Sequence, residues 1–173
     1  QASVRVEHLG FANIRGMSVG SSFKGLLAVV TGGGTGMGRE LAIQLTAEGC
    51  SVAMCDVSAD NMLITEELCR AGMPAGTTVS TFVADVSNEA QLQAFRDHVV
   101  RTHCPDAPAL HLLFNNAGIG GGGSFVDDDR ANWEATFNVC WGGVYLGCRT
   151  FMPLLLAADK GHVVNTSSVN GFW

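Results

Sequence analysis

From Leu26 onward the chain alternates short apolar, often β-branched runs with longer stretches in which apolar positions recur at helical spacing. "LLAVVT" (26–31), "SVAMCD" (51–56), "TVSTFVAD" (78–85), "LHLLFNN" (110–116) and "HVVNTS" (162–167) read as strands. Segments 37–48, 59–71, 88–102 and about 131–158 read as helices. Strands separated by helices predict a parallel sheet, because parallel neighbours need a long right-handed crossover to return. The expected class is therefore α/β, a doubly wound parallel sheet covered on both faces.

Local signals mark the ends of these elements. Ser87 offers an N-cap for the helix at 88–102, with Ala90 at N3, so a reciprocal capping box is absent. Pro105 and Pro108 close that helix before the next strand. Residues 1–24 show no clear periodicity and read as an N-terminal arm or an appended remnant, leaving 25–173 as one domain. No internal repeat or linker interrupts it, and "GIGGGGS" (118–124) is its low-complexity patch.

Composition excludes several classes. Hydrophobic residues make up 47% and charged residues 15%, too apolar for a disordered chain and too broken by charge and glycine for a membrane span. The longest apolar runs, "GLLAVV" and "FMPLLLAA", are too short to cross a bilayer. A net charge of −6, with no lysine–arginine cluster, argues against nucleic acid as a partner. The first 22 residues carry no signal-peptide pattern, so a cytoplasmic location is expected. The six cysteines, at 50, 55, 69, 104, 140 and 148, form no CxxC pair, and the histidines show no ligand spacing, so neither a disulfide framework nor a metal site is expected. Most of the thiols read as small core residues, and His98, His103 and Cys104 as a solvated helix end.

Candidate chemistry begins at "TGGGTGMG" (31–38), where glycines stand between the first strand and a helix. A pyrophosphate needs backbone N–H groups brought close with no side chains in the way, and a helix N-terminus adds donors and a positive dipole. A glycine-rich turn also serves simply to join a strand to a helix, so the loop alone leaves both readings open. Asp56 sharpens the choice. It closes the second strand, near the ~20-residue distance from the loop expected of a carboxylate that receives an adenosine ribose. Such a carboxylate accepts from a 2′-hydroxyl and repels a 2′-phosphate, and no basic residue stands at Thr35, Val57 or Ser58. NAD is expected in preference to NADP, with Gly32, Gly34, Thr35, Gly36, Met37, Gly38, Asp56 and Val57 as binding residues. Arg39, the one nearby cation, reads equally as a helix-surface residue or as a contact.

At this point the chain resembles the short-chain dehydrogenase/reductase family, in its single-domain branch, over about residues 23 to 173. The glycine loop is similar to that family's cofactor loop, Asp85 and Val86 to its adenine-contacting pair, and "NNAG" (Asn115 to Gly118) to the motif that closes its fourth strand. The resemblance implies a Rossmann-type dinucleotide-binding domain. In it Asp85 bonds the adenine amino group, Val86 packs on the ring, and Asn115, Asn116, Ala117 and Gly118 hold the strand end near the riboses. Read on their own, Asp85 could cap a turn and the asparagines could satisfy loop backbone. "GHVVNTSSVNG" is similar to the family's fifth strand and serine turn, which makes Ser168 the catalytic hydroxyl, with Ser167 as the fallback. Its implied role is to hydrogen-bond the substrate's carbonyl or alkoxide oxygen as charge develops.

The chain departs from the family in two places. The family's catalytic asparagine sits in a setting like NVNxxGVxxG, where this chain reads "NVCWGGVYLG" (138–147). Aligning Gly143, Val144, Leu146 and Gly147 puts Cys140 in that slot, whereas Asn138 fits only if the glycines shift. A thiol, a poor donor and weak acceptor, would weaken the water-linked proton path that the asparagine supports. No base or cation adjoins Cys140, which disfavours a reactive thiol. Secondly, the YxxxK acid/base pair is absent: the single tyrosine, Tyr145, precedes the serine turn and is followed by Arg149. That pair, the sixth and seventh strands and the substrate cover are expected beyond Trp173, the chain being part of a longer enzyme or a truncated product.

The leading expectation is an NAD(P)-dependent short-chain dehydrogenase/reductase, moving hydride between NAD(H) and a secondary alcohol or ketone, with the 173 residues alone inactive. The alternative is a dinucleotide-binding fragment or module without catalysis. A third reading is an assembly role, since the 131–158 helix resembles the family's dimer-forming helix. Expected partners are a small alcohol or carbonyl substrate and further copies of the chain, as a dimer or tetramer through that helix. Loop 119–130, with its glycines and "DDD" (127–129), reads as mobile pocket lining with an acidic helix start.

Overall fold

The computed structural model describes residues 4–9, 23–121, 126 and 129–168. Strands β2 (Leu27–Thr31), β3 (Ser51–Asp56), β4 (Val79–Val83), β5 (Leu112–Asn115) and β6 (Gly161–Thr166) fall on the five expected runs. Between them lie α1 (Gly36–Ala47), α2 (Ala59–Gly72), α3 (Glu89–His103), α4 (Arg130–Phe137) and α5 (Gly143–Ala157). Within residues 1–24, read as an N-terminal arm or an appended remnant, there is a strand that the pattern did not mark. Val4–Leu9 forms β1, which pairs in parallel with β6 from Val4 beside Gly161 to Leu9 beside Thr166. An edge strand draws its order from one neighbour's backbone and needs no strong apolar alternation, so the pattern along the chain passed over it. The sheet order is β1-β6-β5-β2-β3-β4, and every pairing is parallel.

The central strands are apolar almost throughout because both of their faces are covered. Val29, Ala53, Cys55 and Leu113 pack with Phe95 of α3 and Phe151 and Leu155 of α5. Ala28, Val30, Val52, Met54 and Leu112 pack on the opposite face with Ala42 and Leu45 of α1 and Cys69 of α2. Burial pushes the Cys50 thiol up to about 12 and raises Cys55, Cys69 and Cys148 as well, in keeping with core thiols.

Three other local expectations change. The N-cap of α3 is Asn88, whose side chain accepts from the Gln91 N–H at 3.2 Å. Ser87, expected there, instead donates its hydroxyl to Asp85 Oδ1 at 2.7 Å. The stretch expected as one helix over 131–158 is α4 and α5 joined through a π turn at Asn138–Gly142. Asp129 caps its start, while Asp127 and Asp128 lie outside the described residues. Finally, His98 and His103 do not form a solvated end. Their Nε2 atoms lie 3.2 and 2.7 Å from Ser80 Oγ on β4, and burial, with His98 close by, pushes His103 down to about 4.

Arg130–Ala157 together is 28 residues, long and apolar enough by length and composition to cross a membrane, which the separate apolar runs did not reveal. Its α5 part buries Gly143, Gly147, Phe151, Leu154 and Leu155 against the sheet. An apolar face of that kind belongs equally to a core helix, and length does not distinguish the two.

Candidate active site

The sheet reverses direction between β2 and β5: from β2 the chain winds outward through β3 to β4, then returns on the other side as β5 and β6. Loops leaving β2 and β5 therefore diverge, and the crevice between them at the carboxyl edge is where open parallel sheets take ligands. The glycine loop, Asp56, Asp85, Asn115 to Gly118 and Ser168 all follow strand ends on this edge.

Gly32 and Gly36 adopt φ of +68° and +53°, conformations that side chains resist. The Cβ side of Gly36 faces open space, with nothing within 4 Å, whereas a Cβ on Gly38 would run into the Gly32 carbonyl oxygen and lie 2.7 Å from Asn116 Nδ2. The loop is thus packed tightly against α1 on its inner side and open on its outer side. Thr35 makes no side-chain cap to α1. Ser58, Asn88 and Asp129 do cap their helices, so the first turn of α1 alone among these four presents N–H donors without a side-chain partner.

Asp56 is anchored on both oxygens, accepting the Gly34 N–H and the Ser58 N–H at 3.0 Å each. Gly34 is buried, and its carbonyl accepts from Arg39 Nη2 at 2.5 Å and Thr65 Oγ1 at 3.2 Å. Arg39 Nε also donates to Thr65 at 3.0 Å. Gly34 therefore buttresses the carboxylate and has no N–H left for a ligand, a correction to its expected role. Arg39 is a clamp joining α1, the loop and α2, which resolves its two open readings in favour of neither. Thr35, Gly36, Met37 and Val57 stay exposed at the crevice.

Beyond β4, Asp85 Oδ1 accepts from the Ser87 N–H at 2.8 Å as well as its hydroxyl, and the Asp85 N–H donates to Gln91 Oε1 at 2.8 Å. Asp85 does cap a turn, while remaining half-buried. Val86 is only 5% exposed and belongs to the core. A Cβ on Gly143 would lie 2.7 Å from its Cγ2, so the valine packs under α5 and offers an adenine ring little surface.

At the end of β5 the two asparagines part ways. Asn116 Nδ2 donates to the carbonyls of Thr31 and Gly32 at 3.1 and 3.3 Å, and its Oδ1 accepts from Thr166 at 3.2 Å, tying the loop to β6. Asn115 is 3% exposed and points inward, its Nδ2 donating to Asn165 Oδ1 at 2.9 Å and to Cys148 Sγ at 3.3 Å. Its side chain ties the end of β5 to β6, and its Oδ1 has no hydrogen-bond partner among the described residues. Sequence reasoning missed Thr31, whose buried hydroxyl accepts both the Asn116 and Ala117 N–H groups at 3.0 Å. The available signal was a hydroxyl ending an otherwise apolar, buried strand, since such a group must find a partner.

The π turn puts Cys140 at the crevice. Its thiol donates to the Ile119 carbonyl at 3.5 Å, and a Cβ on Gly118 would lie 3.6 Å from Sγ. Asn138, the other candidate for that slot, is exposed at the start of the turn. Ser167 and Ser168 are exposed just past β6, whose Asn165 pairs with Asn115 across the strands. Tyr145 stands apart, its hydroxyl accepting from Arg149 at 3.5 Å. A cavity of about 330 Å³ opens beside Cys140.

The sequence model of the short chain dehydrogenase family matches residues 26–173. Levodione reductase of Leifsonia aquatica is 32% identical over 150 residues, 86% of this chain and 54% of that protein. A short chain dehydrogenase/reductase from Burkholderia phymatum, solved in complex with NAD, superposes with a TM-score of 0.79 at 37% identity, over 88% of this chain and 52% of that one. A metagenomic short-chain oxidoreductase solved in complex with NADP gives 0.76 at 32% identity, over 86% of this chain and 65% of that one. The chain spans about half the length of the curated relatives it matches.

Proposed function

The chain belongs to the short chain dehydrogenase family, and from that premise we propose that the whole protein is an oxidoreductase moving hydride between NAD(H) and a secondary alcohol or ketone. The observation that carries this reading is the meeting, on one sheet edge, of an open glycine cradle, an anchored carboxylate and a serine hydroxyl.

The residues present fit a nicotinamide dinucleotide. The open side of Gly36 and the uncapped first turn of α1 would hold its pyrophosphate. Asp56, held in place by Gly34 and Ser58, would accept from the adenosine ribose, and Asp85 would take the adenine amino group. Asn116 to Gly118 would border the nicotinamide ribose. When bound, the cofactor supplies or accepts the hydride. NAD is favoured over NADP because the Asp56 carboxylate repels a 2′-phosphate and Arg39 has Nε and Nη2 committed to Thr65 and Gly34.

Ser168 would donate its hydroxyl proton to the substrate oxygen in a hydrogen bond that strengthens as negative charge builds there. Cys140, hydrogen-bonded to Ile119, would steady the loop leaving β5 in the place where the family has asparagine. The proton delivered to that oxygen needs an acid, and Tyr145, turned toward Arg149, does not serve. The same reading has copies of the chain associating along the outer face of α5, where Tyr145, Arg149 and Leu156 are exposed.

In the complete protein, Ser168→Ala is expected to lower kcat by about 10²–10³-fold while leaving NAD affinity, measured by calorimetry, unchanged. Undiminished turnover would sink the assignment. NAD binding with no NADH formed from any alcohol would favour the non-catalytic module instead.

A further inference from the structure

Toward β5, the backbone ladder of β6 stops at the facing pair Asn115 and Asn165, and Ser168 stands three residues beyond it. From that pair onward the two strand ends are joined by side chains. Asn165 Oδ1 accepts from Asn115 Nδ2 at 2.9 Å, and Thr166 Oγ1 donates to Asn116 Oδ1 at 3.2 Å. Successive residues of a strand point to opposite faces, so the two links grip the end of β6 from either side. Each link runs on into a neighbouring element. Asn115 Nδ2 also donates to Cys148 Sγ of α5 at 3.3 Å, and a Cβ on Gly147 would run into Asn115 Oδ1, so the amide lies against the helix with no room to turn. Asn116 Nδ2 reaches the carbonyls of Thr31 and Gly32, at the head of the glycine loop, at 3.1 and 3.3 Å.

We propose that Asn165 and Thr166 are positioning residues for hydride transfer: they set the distance and angle between the serine turn after β6 and the cofactor crevice after β5, and so aim Ser168 at the substrate oxygen. This deepens the dehydrogenase reading and rests on it. Keeping β6 in the sheet does not call for these links, because its backbone is paired with β1 on one side and β5 on the other. Burial does not call for them either. Asn115 is 3% exposed and its Oδ1 has no hydrogen-bond partner among the described residues, whereas an apolar pair would fill the same space and leave no polar atom unpaired. An amide pair supplies direction, which an apolar pair does not: one donor meets one acceptor at one register. A hydroxyl that steadies charge in a transition state needs that accuracy. Its supporting groups must hold it to about 0.5 Å, and a displacement of about 1 Å costs about 10²-fold in rate. Thr166 is the last residue of β6, so the end of that strand is the nearest regular element from which Ser168 can be aimed.

The test uses the complete protein with oxidised NAD and whichever of propan-2-ol, cyclohexanol and 1-phenylethanol is oxidised fastest; NADH absorbance gives kcat and KM, and calorimetry gives NAD affinity. Asn165→Leu, which removes the acceptor, is expected to lower kcat at least about tenfold with NAD affinity held within about twofold. Thr166→Val should lower kcat about threefold, and Thr166→Ser, which returns the hydroxyl, should recover most of that loss. Thr166 is exposed, so the second pair of variants decides the matter should Asn165→Leu fail to fold. An unchanged kcat in the folded variants that lack the links would overturn the proposal. So would parallel falls of kcat, NAD affinity and Tm, which belong to a sheet coming loose and not to a misplaced hydroxyl. If none of the three alcohols is oxidised, the hydride-transfer reading is what fails, and the clamp is decided by hydrogen exchange at the Asn116 and Ala117 N–H groups, both held by Thr31 Oγ1. Exchange at least about fivefold faster in Asn165→Leu supports the clamp, and unchanged exchange overturns it.

Discussion

Around Thr31, Gly34, Asp56 and Asn116 the strand ends are cross-linked polar atom to polar atom, whereas along Phe137, Trp141 and Tyr145 aromatic rings stack in series at the surface. The first region spends its hydrogen bonds on holding its own shape and leaves open only the outer side of Gly36 and the first turn of α1. The second leaves large apolar area uncovered, Trp141 being 58% exposed. A site for an invariant, charged cofactor rewards rigid donors fixed in advance. Uncovered aromatic area of that size is surface that a packing partner covers. Substitutions in the two regions should accordingly fail in different ways.

The largest effect belongs to the glycine loop. Gly38→Ala drives a Cβ into the Gly32 carbonyl and displaces loop or helix by a good fraction of an ångström. NAD affinity is expected to fall about 10²-fold, read by calorimetry, with the tryptophan fluorescence of the stacked rings little changed. A fluorescence change that tracks the loss of affinity would erase the distinction drawn between the two regions.

Next in size is Thr31→Val, which keeps the shape but deprives the Asn116 and Ala117 N–H groups of their acceptor. A cost of about 2–3 kcal/mol in unfolding free energy is expected, measured by urea denaturation, together with weaker NAD binding. A loss under about 0.5 kcal/mol would show the hydroxyl to be dispensable.

Asp56→Ala should cut the preference for NAD over NADP by about tenfold, read as the ratio of the two affinities. An unchanged ratio would place the ribose elsewhere.

The smallest effect lies far from the crevice, at His103, and serves as the control. Its folded pKa, near 4, is below the ordinary 6.5, so the unfolded chain binds a proton that the folded chain refuses. That contribution is fully present above pH 6.5 and is lost as the pH falls from 6.5 toward 4. His103→Gln should flatten the fall of Tm across that window without touching NAD affinity. An unaltered slope would assign the acid sensitivity to other groups.

Legibility followed the range of the interactions. The glycine loop and Asp56 were readable because a pyrophosphate cradle needs its residues within one strand–turn–helix unit and a carboxylate at the next strand end. Gly34 was misread because its N–H is claimed by a carboxylate one strand away, and the partner of Asn115 stayed hidden because Asn165 comes from the neighbouring strand. Ser87 lost the α3 cap to Asn88 for a nearer reason, the competing pull of Asp85 on its hydroxyl. Spacing favoured Cys140 over Asn138 through the aligned glycines, but the π turn at Asn138–Gly142, which sets that thiol beside the Ile119 carbonyl, left no mark on the residue count.

Hydrophobic spacing along the chain settled the class of the fold and the strand order from β2 onward, and the glycine and aspartate identities marked the cofactor loop, because such signals are read locally. Folding in three dimensions chose which polar groups remain available to a ligand. Each backbone N–H or side-chain oxygen at the crevice is claimed or released by residues distant in sequence, as Gly34, Arg39 and Asn115 are claimed and the first turn of α1 is released.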